Sequence, residues 1–97
     1  MTIRTHTFRG KRYAISFPRK LRGAFGQCDA PADPGKAIVV RRGQSPLDEL
    51  DTTIHEALHA CHWDMSEDAV AQTATDVARF LWRLGYRRVQ PPPKGTA

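Results

Sequence analysis

Cysteine is scarce in this chain. There are two, Cys28 and Cys61, and neither belongs to a Cys-x-x-Cys pair. No run of about 18 apolar residues occurs, so no segment is expected to span a membrane. The start, Met1-Thr2-Ile3-Arg4-Thr5-His6, carries no apolar stretch of the kind a secretory signal requires. A cytoplasmic location is the simplest expectation. In that compartment Cys61, which falls toward the apolar side of a helix, reads as a buried free thiol rather than half of a disulfide. Internal repeats are missing too, and the basic clusters lack a regular interleave of aromatic side chains.

What is present fits one small globular domain. Of 97 residues, 40% are hydrophobic and 26% charged. Residues 1–89 read as a single domain. Residues 90–97, with Pro91-Pro92-Pro93, read as a polyproline-like, poorly ordered tail. The net charge is +5, with basic clusters at Arg9 to Arg12, Arg19 to Arg22, Arg41-Arg42 and Arg83 to Arg88. Such clusters suit a solvated basic surface or weak association with nucleic acid or an acidic partner.

The expected fold class is α+β: a small three-stranded antiparallel sheet followed by an antiparallel pair of helices. Residues 3–9 and 12–17 alternate in polarity around Gly10-Lys11, as a β-hairpin does. Pro18 ends the second strand, and residues 18–35, rich in glycine and proline, read as one long loop. A loop of that length in a compact domain is functional or locally mobile. Lys36-Ala37-Ile38-Val39-Val40-Arg41 is the third strand, rich in β-branched residues. Ser45-Pro46 opens the first helix with an N-cap and a proline at its first position. Ser66 to Leu84 forms the second, stopped by Gly85. Apolar stripes are expected at Leu47, Leu50, Ile54, Ala57, Leu58 and Cys61, and at Val70, Ala74, Val77, Ala78, Leu81 and Leu84.

The first helix carries His55-Glu56-Ala57-Leu58-His59. Histidines four apart lie one above the other on a helix, so both imidazoles reach a single Zn²⁺. Glu56 then stands beside the metal as the general base for its water. His55, His59 and His62 share a stripe about 120° from the apolar one. A catalytic zinc takes a third protein ligand, and Glu67 is the first choice because it projects with Val70, Ala74 and Leu81 toward the first helix. Asp68 is the adjacent alternative, though it points about 100° away, and Asp76 lies on the opposite face, as a solvent-facing charge does. His62 is about 10 Å along the helix from His55, too far for bonds of about 2 Å to one zinc. Tyr13, Tyr86 or an arginine would stabilise an oxyanion.

With a short sheet before it and an acidic residue soon after, His55-Glu56-Ala57-Leu58-His59 resembles the small zinc metallopeptidases of the zincin clan. The likeness is to minimal gluzincin-type, SprT-like or phage-encoded metallopeptidases, over residues 36–88 in pattern and at His55, Glu56 and His59 specifically. It implies a zinc-dependent peptidase acting on a peptide or protein substrate, with Lys36 to Arg41 as the edge strand that pairs with it. The metzincin continuation would place Gly at 62 and His at 65, and His62 and Met65 exclude it. The gluzincin Glu-x-x-x-Asp is absent as well, since Ala71 stands four residues past Glu67.

Peptide hydrolysis is therefore the leading expectation. A nucleic-acid-associated adaptor using the arginine clusters, and an inactive zincin-fold binding module that retains its metal, are the alternatives. Loop 18–35 with Cys28 is expected to cover or regulate the cleft, or to be a plain loop. Substrate preference and oligomeric state are not encoded in any motif.

Overall fold

The computed structural model describes residues 4–89; the tail expected at 90–97 lies outside them. The order is β1 (Thr5–Phe8), β2 (Lys11–Ser16), β3 (Gly26–Cys28), β4 (Ala37–Val40), α1 (Pro46–Cys61) and α2 (Glu67–Arg83). The α+β class and the two helices are as expected. The sheet is not: it has four strands in the order β1-β2-β4-β3, and it is mixed.

Strands β1 and β2 form the expected antiparallel hairpin, with Phe8 opposite Lys11. The two turn residues are Arg9 and Gly10, both at positive φ (48° and 80°), one residue earlier than the sequence suggested. Two successive positive φ values are those of the turn whose twist matches the strands it joins. β2 then pairs with β4 in parallel, not antiparallel, Ile15 lying opposite Ile38. The intervening segment makes this possible by returning as β3, antiparallel to β4 with Gln27 opposite Val39. Gly26-Gln27-Cys28 has no β-branched residue, and its strand character comes from the neighbour it pairs with. Because β3 lies outside it, β4 is an interior strand, which overturns its expected role as a substrate-pairing edge.

Ser45 caps α1 by accepting from the Asp48 amide, and Ser66 caps α2 by accepting from Ala69, each followed by acids in the first turn. Helix α1 lies against β3 and β4 on one side and α2 on the other. That double contact moves its buried line. The expected stripe at Leu47, Leu50, Ile54, Ala57, Leu58 and Cys61 is only half-buried, while Glu56 and Ala60 are the buried residues. Thr52, Glu56 and Ala60, four apart, form the ridge that faces the sheet. Beneath it, Tyr13, Ile38, Val40 and Ala60 make the core, with Phe8, Ile15, Phe17 and Cys28 packed around it.

Val70, Ala74 and Ala78 are the buried positions of α2. Val77 and Leu84, expected in the same stripe, are exposed, because among the described residues α2 packs on α1 alone. A bond of 2.8 Å from the Thr75 hydroxyl to Asp51 Oδ2 ties the two helices midway along their lengths. Among the described residues, no helix is long and apolar enough to cross a membrane.

Candidate metal centre

The helical hairpin brings the first turn of α2 across from the last turns of α1. There His55 Nε2 lies 2.8 Å from Glu67 Oε1, and His59 Nε2 lies 3.0 Å from Glu67 Oε2. One carboxylate thus spans both imidazoles. The two rings stack edge-on with centroids 4.9 Å apart, and Trp63 continues the ladder at 6.0 Å from His59. His55 and His59 are an i, i+4 step on one face of α1, and Trp63 follows just past its C-cap.

The donors of His55, His59 and Glu67 all lie within 4.8 Å of one another. Ligands on a tetrahedral zinc, at about 2 Å from the metal, stand roughly 3.3 Å apart. Two imidazole nitrogens and one carboxylate match a divalent metal in chemistry and are already near that separation. Glu67 is where the sequence placed it but not as buried as argued: its side chain is 69% exposed, and it reaches the histidines from the surface. Asp68, Asp76 and His62 are also exposed, and among the described residues none of them joins a cluster of metal-binding type. His62 is the C-cap of α1, its amide returning to the Leu58 carbonyl.

Glu56 packs against Gly26 of β3 beside the histidines, and only 7% of it is exposed. Burial pushes its carboxyl above the ordinary range, His55 pulls it down, and Glu67 pushes it up. Removing water from a carboxylate disfavours its charge, so burial is the dominant cause. Space for Glu56 is provided by Gly26. A Cβ on residue 26 would stand 2.7 Å from Glu56 Oε2 and 2.6 Å from Thr52 Cγ2.

A cavity of about 520 Å³ opens over this arrangement, lined by Gly26, Cys28, His55, Glu56, His59, Trp63, Met65 and Glu67. The loop expected to cover or regulate the cleft therefore reaches it, through β3. The carbonyl of Phe25 and the amide of Asp29 bond across to β4. By the two-residue alternation of a strand, the main-chain groups of Gly26 and Cys28 then face the open edge of the sheet, beside the cavity. Cys28 itself is no thiolate: burial first, then the neighbouring Glu56 and Asp29 carboxylates, push its thiol up to about 12.

Neither tyrosine serves this cavity. Tyr13 is fully buried in the core and donates to the Asp29 carbonyl at 3.3 Å, and Tyr86 lines a separate apolar groove near the end of α2. No arginine lines the cavity either. Several are occupied elsewhere: Arg9 donates to the Cys61 carbonyl at the end of α1, Arg87 lies over Trp82, and Arg88 lies over Phe17 while pairing with Glu49.

Gly26, Trp63 and Met65 are the cavity residues that sequence reasoning missed. Gly26 read as loop punctuation, and Trp63 and Met65 read as a break between helices. The signal available was spacing: Trp63 continues the 55, 59 step by four. No family model matches the chain, and comparison with curated proteins and with solved structures yields no match.

Proposed function

We propose that the chain is a zinc-dependent peptidase of zincin type, in which His55, His59 and Glu67 hold the metal and Glu56 is the general base. The observation that carries this reading is the convergence of both Nε2 atoms on the two oxygens of Glu67, with the buried carboxyl of Glu56 one residue from the first of them. Two imidazoles and a carboxylate converging in a solvent-open cavity form a donor set of the kind that binds a divalent cation. When bound there, zinc supplies Lewis acidity toward a carbonyl oxygen and toward water.

Glu56 is suited to move a proton. Its raised carboxyl holds and releases protons closer to neutrality than an exposed glutamate does, which favours transfer from water to the leaving amine. The open edge of β3 offers the Gly26 and Cys28 main chain to an extended peptide, in place of the interior strand β4. The Trp63 ring, 48% exposed, forms one wall. A peptide in the cavity is thus held between a strand edge and an aromatic surface.

The experiment pairs metal analysis with turnover. Purified protein is expected to carry about one zinc per chain, and to cleave an unfolded protein substrate in a reaction stopped by a chelator and restored by zinc. Protein that binds no zinc at neutral pH would end the proposal. Protein that binds zinc but cleaves nothing would instead favour the inactive binding module.

A further inference from the structure

One flank of α2 carries a second pattern that no other element among the described residues covers. Thr73, Val77, Phe80 and Leu84 follow one another at steps of four, three and four. That is the spacing of the apolar seam of a coiled coil; one heptad earlier the same position is Val70, which packs on α1 with Ala74 and Ala78, so the seam runs along the flank of that contact. Phe80 is 63% exposed and Leu84 58%. Two large side chains in heptad register toward solvent suit a helix-to-helix contact.

The charges beside the seam identify what covers it. Asp76 and Arg83 are seven residues apart and so occupy the same position in successive heptads, along one flank. When two copies of a helix pack antiparallel about a two-fold axis, that flank meets its own image with the order reversed. Setting Val77 opposite the partner's Phe80, and Thr73 opposite the partner's Leu84, brings Asp76 against the partner's Arg83 and Arg83 against the partner's Asp76. A parallel pairing would instead set Asp76 against the partner's Leu81, which offers the charge no counterpart. Among the described residues, neither Asp76 nor Arg83 has an ion-pair partner within the chain. A shallow groove of about 470 Å³, lined by Asp76, Arg79, Phe80, Arg83 and Leu84, provides room for an incoming ring.

We propose that α2 is a homodimer interface: a second copy of this chain docks antiparallel across the Val77–Phe80–Leu84 seam, with reciprocal Asp76–Arg83 pairs fixing its direction. The contact is isologous, so it closes at two copies. Two heptads of one helix bury less than the roughly 800 Å² per partner of a standard interface, which places the dimer in the weak, reversible class.

Sedimentation velocity on the full chain over a concentration series, from low micromolar to near millimolar, tests this. The wild-type weight-average mass is expected to rise toward that of a dimer. Asp76→Arg and Arg83→Asp are each expected to weaken association at least tenfold, because each sets like charges face to face. The double reversal, Asp76→Arg with Arg83→Asp, is expected to recover association to within a few-fold of wild type. Phe80→Gln is expected to remain monomeric, with circular dichroism reporting an unchanged helix. A wild type that stays monomeric throughout, or a double reversal no better than its single parents, would overturn the proposal. The readout is mass alone, so the result is independent of whether the chain binds zinc or cleaves peptides.

Discussion

Glu56 packs against Gly26 so closely that a Cβ on residue 26 would lie 2.7 Å from Glu56 Oε2 and 3.0 Å from its Cγ. The requirement for glycine here is space, not backbone angle: unlike Gly10 or Gly85, Gly26 has no positive φ. The absence of a side chain on β3 lets the ridge of α1 close onto the strand and aims Glu56 along the cavity floor.

Gly26→Ala is therefore expected to displace the Glu56 carboxyl while leaving the metal ligands alone. Peptidase activity should fall roughly 10–100-fold, as a misplacement of about 1 Å does, with zinc content unchanged. Adding Thr52→Ser removes the Cγ2 atom 2.6 Å from the new Cβ but not the clash with Glu56. Thermal stability should recover in the double variant while kcat does not. Recovery of kcat in the double variant would place the damage in packing rather than in the base.

Burial of Glu56 gives a second prediction, on stability. Its carboxyl is raised in the folded state, chiefly by burial. Below the ordinary carboxyl value of 4.5 the group is neutral in both states and contributes nothing. As pH rises through that value the unfolded chain ionises first, the folded chain holds the extra proton, and stability falls. Glu56→Gln removes this cost. At neutral pH the variant is expected to melt a few degrees above wild type, the gap closing near pH 4, while hydrolysis drops roughly 10²–10⁴-fold. Thermal melts of the metal-free proteins across pH measure it, and equal melting temperatures at pH 7 would mean the carboxylate is satisfied where it lies.

The helical hairpin, its caps and the placement of Glu67, rather than Asp68, Asp76 or His62, beside His55 and His59 were legible because they follow from periodicity and from short-range rules. Ser45-Pro46 and Ser66 mark helix starts by local hydrogen bonding, and the short link between the helices dictates which ends meet. The sheet was less legible, because pairing is not local. Gln27 and Cys28 have weak strand preference, and they form β3 only because β4 presents an unpaired edge. The same long-range cause hid Gly26, and it hid the burial of Glu56 in a helix whose apolar stripe lies elsewhere. The exposed seam of α2 was misread for a related reason, since a stripe shows that a face is apolar without showing which layer covers it.

Glu67 is expected to separate metal binding from fold stability. Its carboxylate is 69% exposed, so its contacts with the two histidines contribute no more than about 1 kcal/mol in the absence of metal. Glu67→Ala should leave the melting temperature of the metal-free protein within a few degrees of wild type. Zinc affinity should fall more than the roughly 10–100-fold typical of losing an outer-shell partner. Competition with a chromophoric chelator gives the affinities, and an unchanged value would remove Glu67 from the ligand set.

Cys28 should be inert despite lining the cavity. A rise from 9.0 to about 12 leaves roughly a thousandfold less thiolate at pH 8, and the thiolate is the reactive species. In metal-free protein, iodoacetamide is expected to modify Cys28 orders of magnitude more slowly than a free thiol in a peptide, as read by mass spectrometry. Rapid, selective labelling of Cys28 would instead reveal a reactive thiolate in the cavity.

The pairing of the helices rests on a bond remote from the cavity. Thr75 donates to Asp51 at 2.8 Å, and Asp51 and Thr75 stand about two helical turns from His59 and Glu67 respectively. The two contacts therefore share one register, and whatever fixes the first presents Glu67 to the histidines. Thr75→Val keeps the shape, removes the donor and leaves a half-buried carboxylate short of a partner. A stability loss of about 1–3 kcal/mol is expected. A fall in zinc affinity, smaller than that of Glu67→Ala, should accompany it. Thr75→Ser keeps the hydroxyl and should restore both. If Thr75→Val lowers stability but binds zinc as wild type does, packing of Val70, Ala74 and Ala78 on α1 sets the register instead.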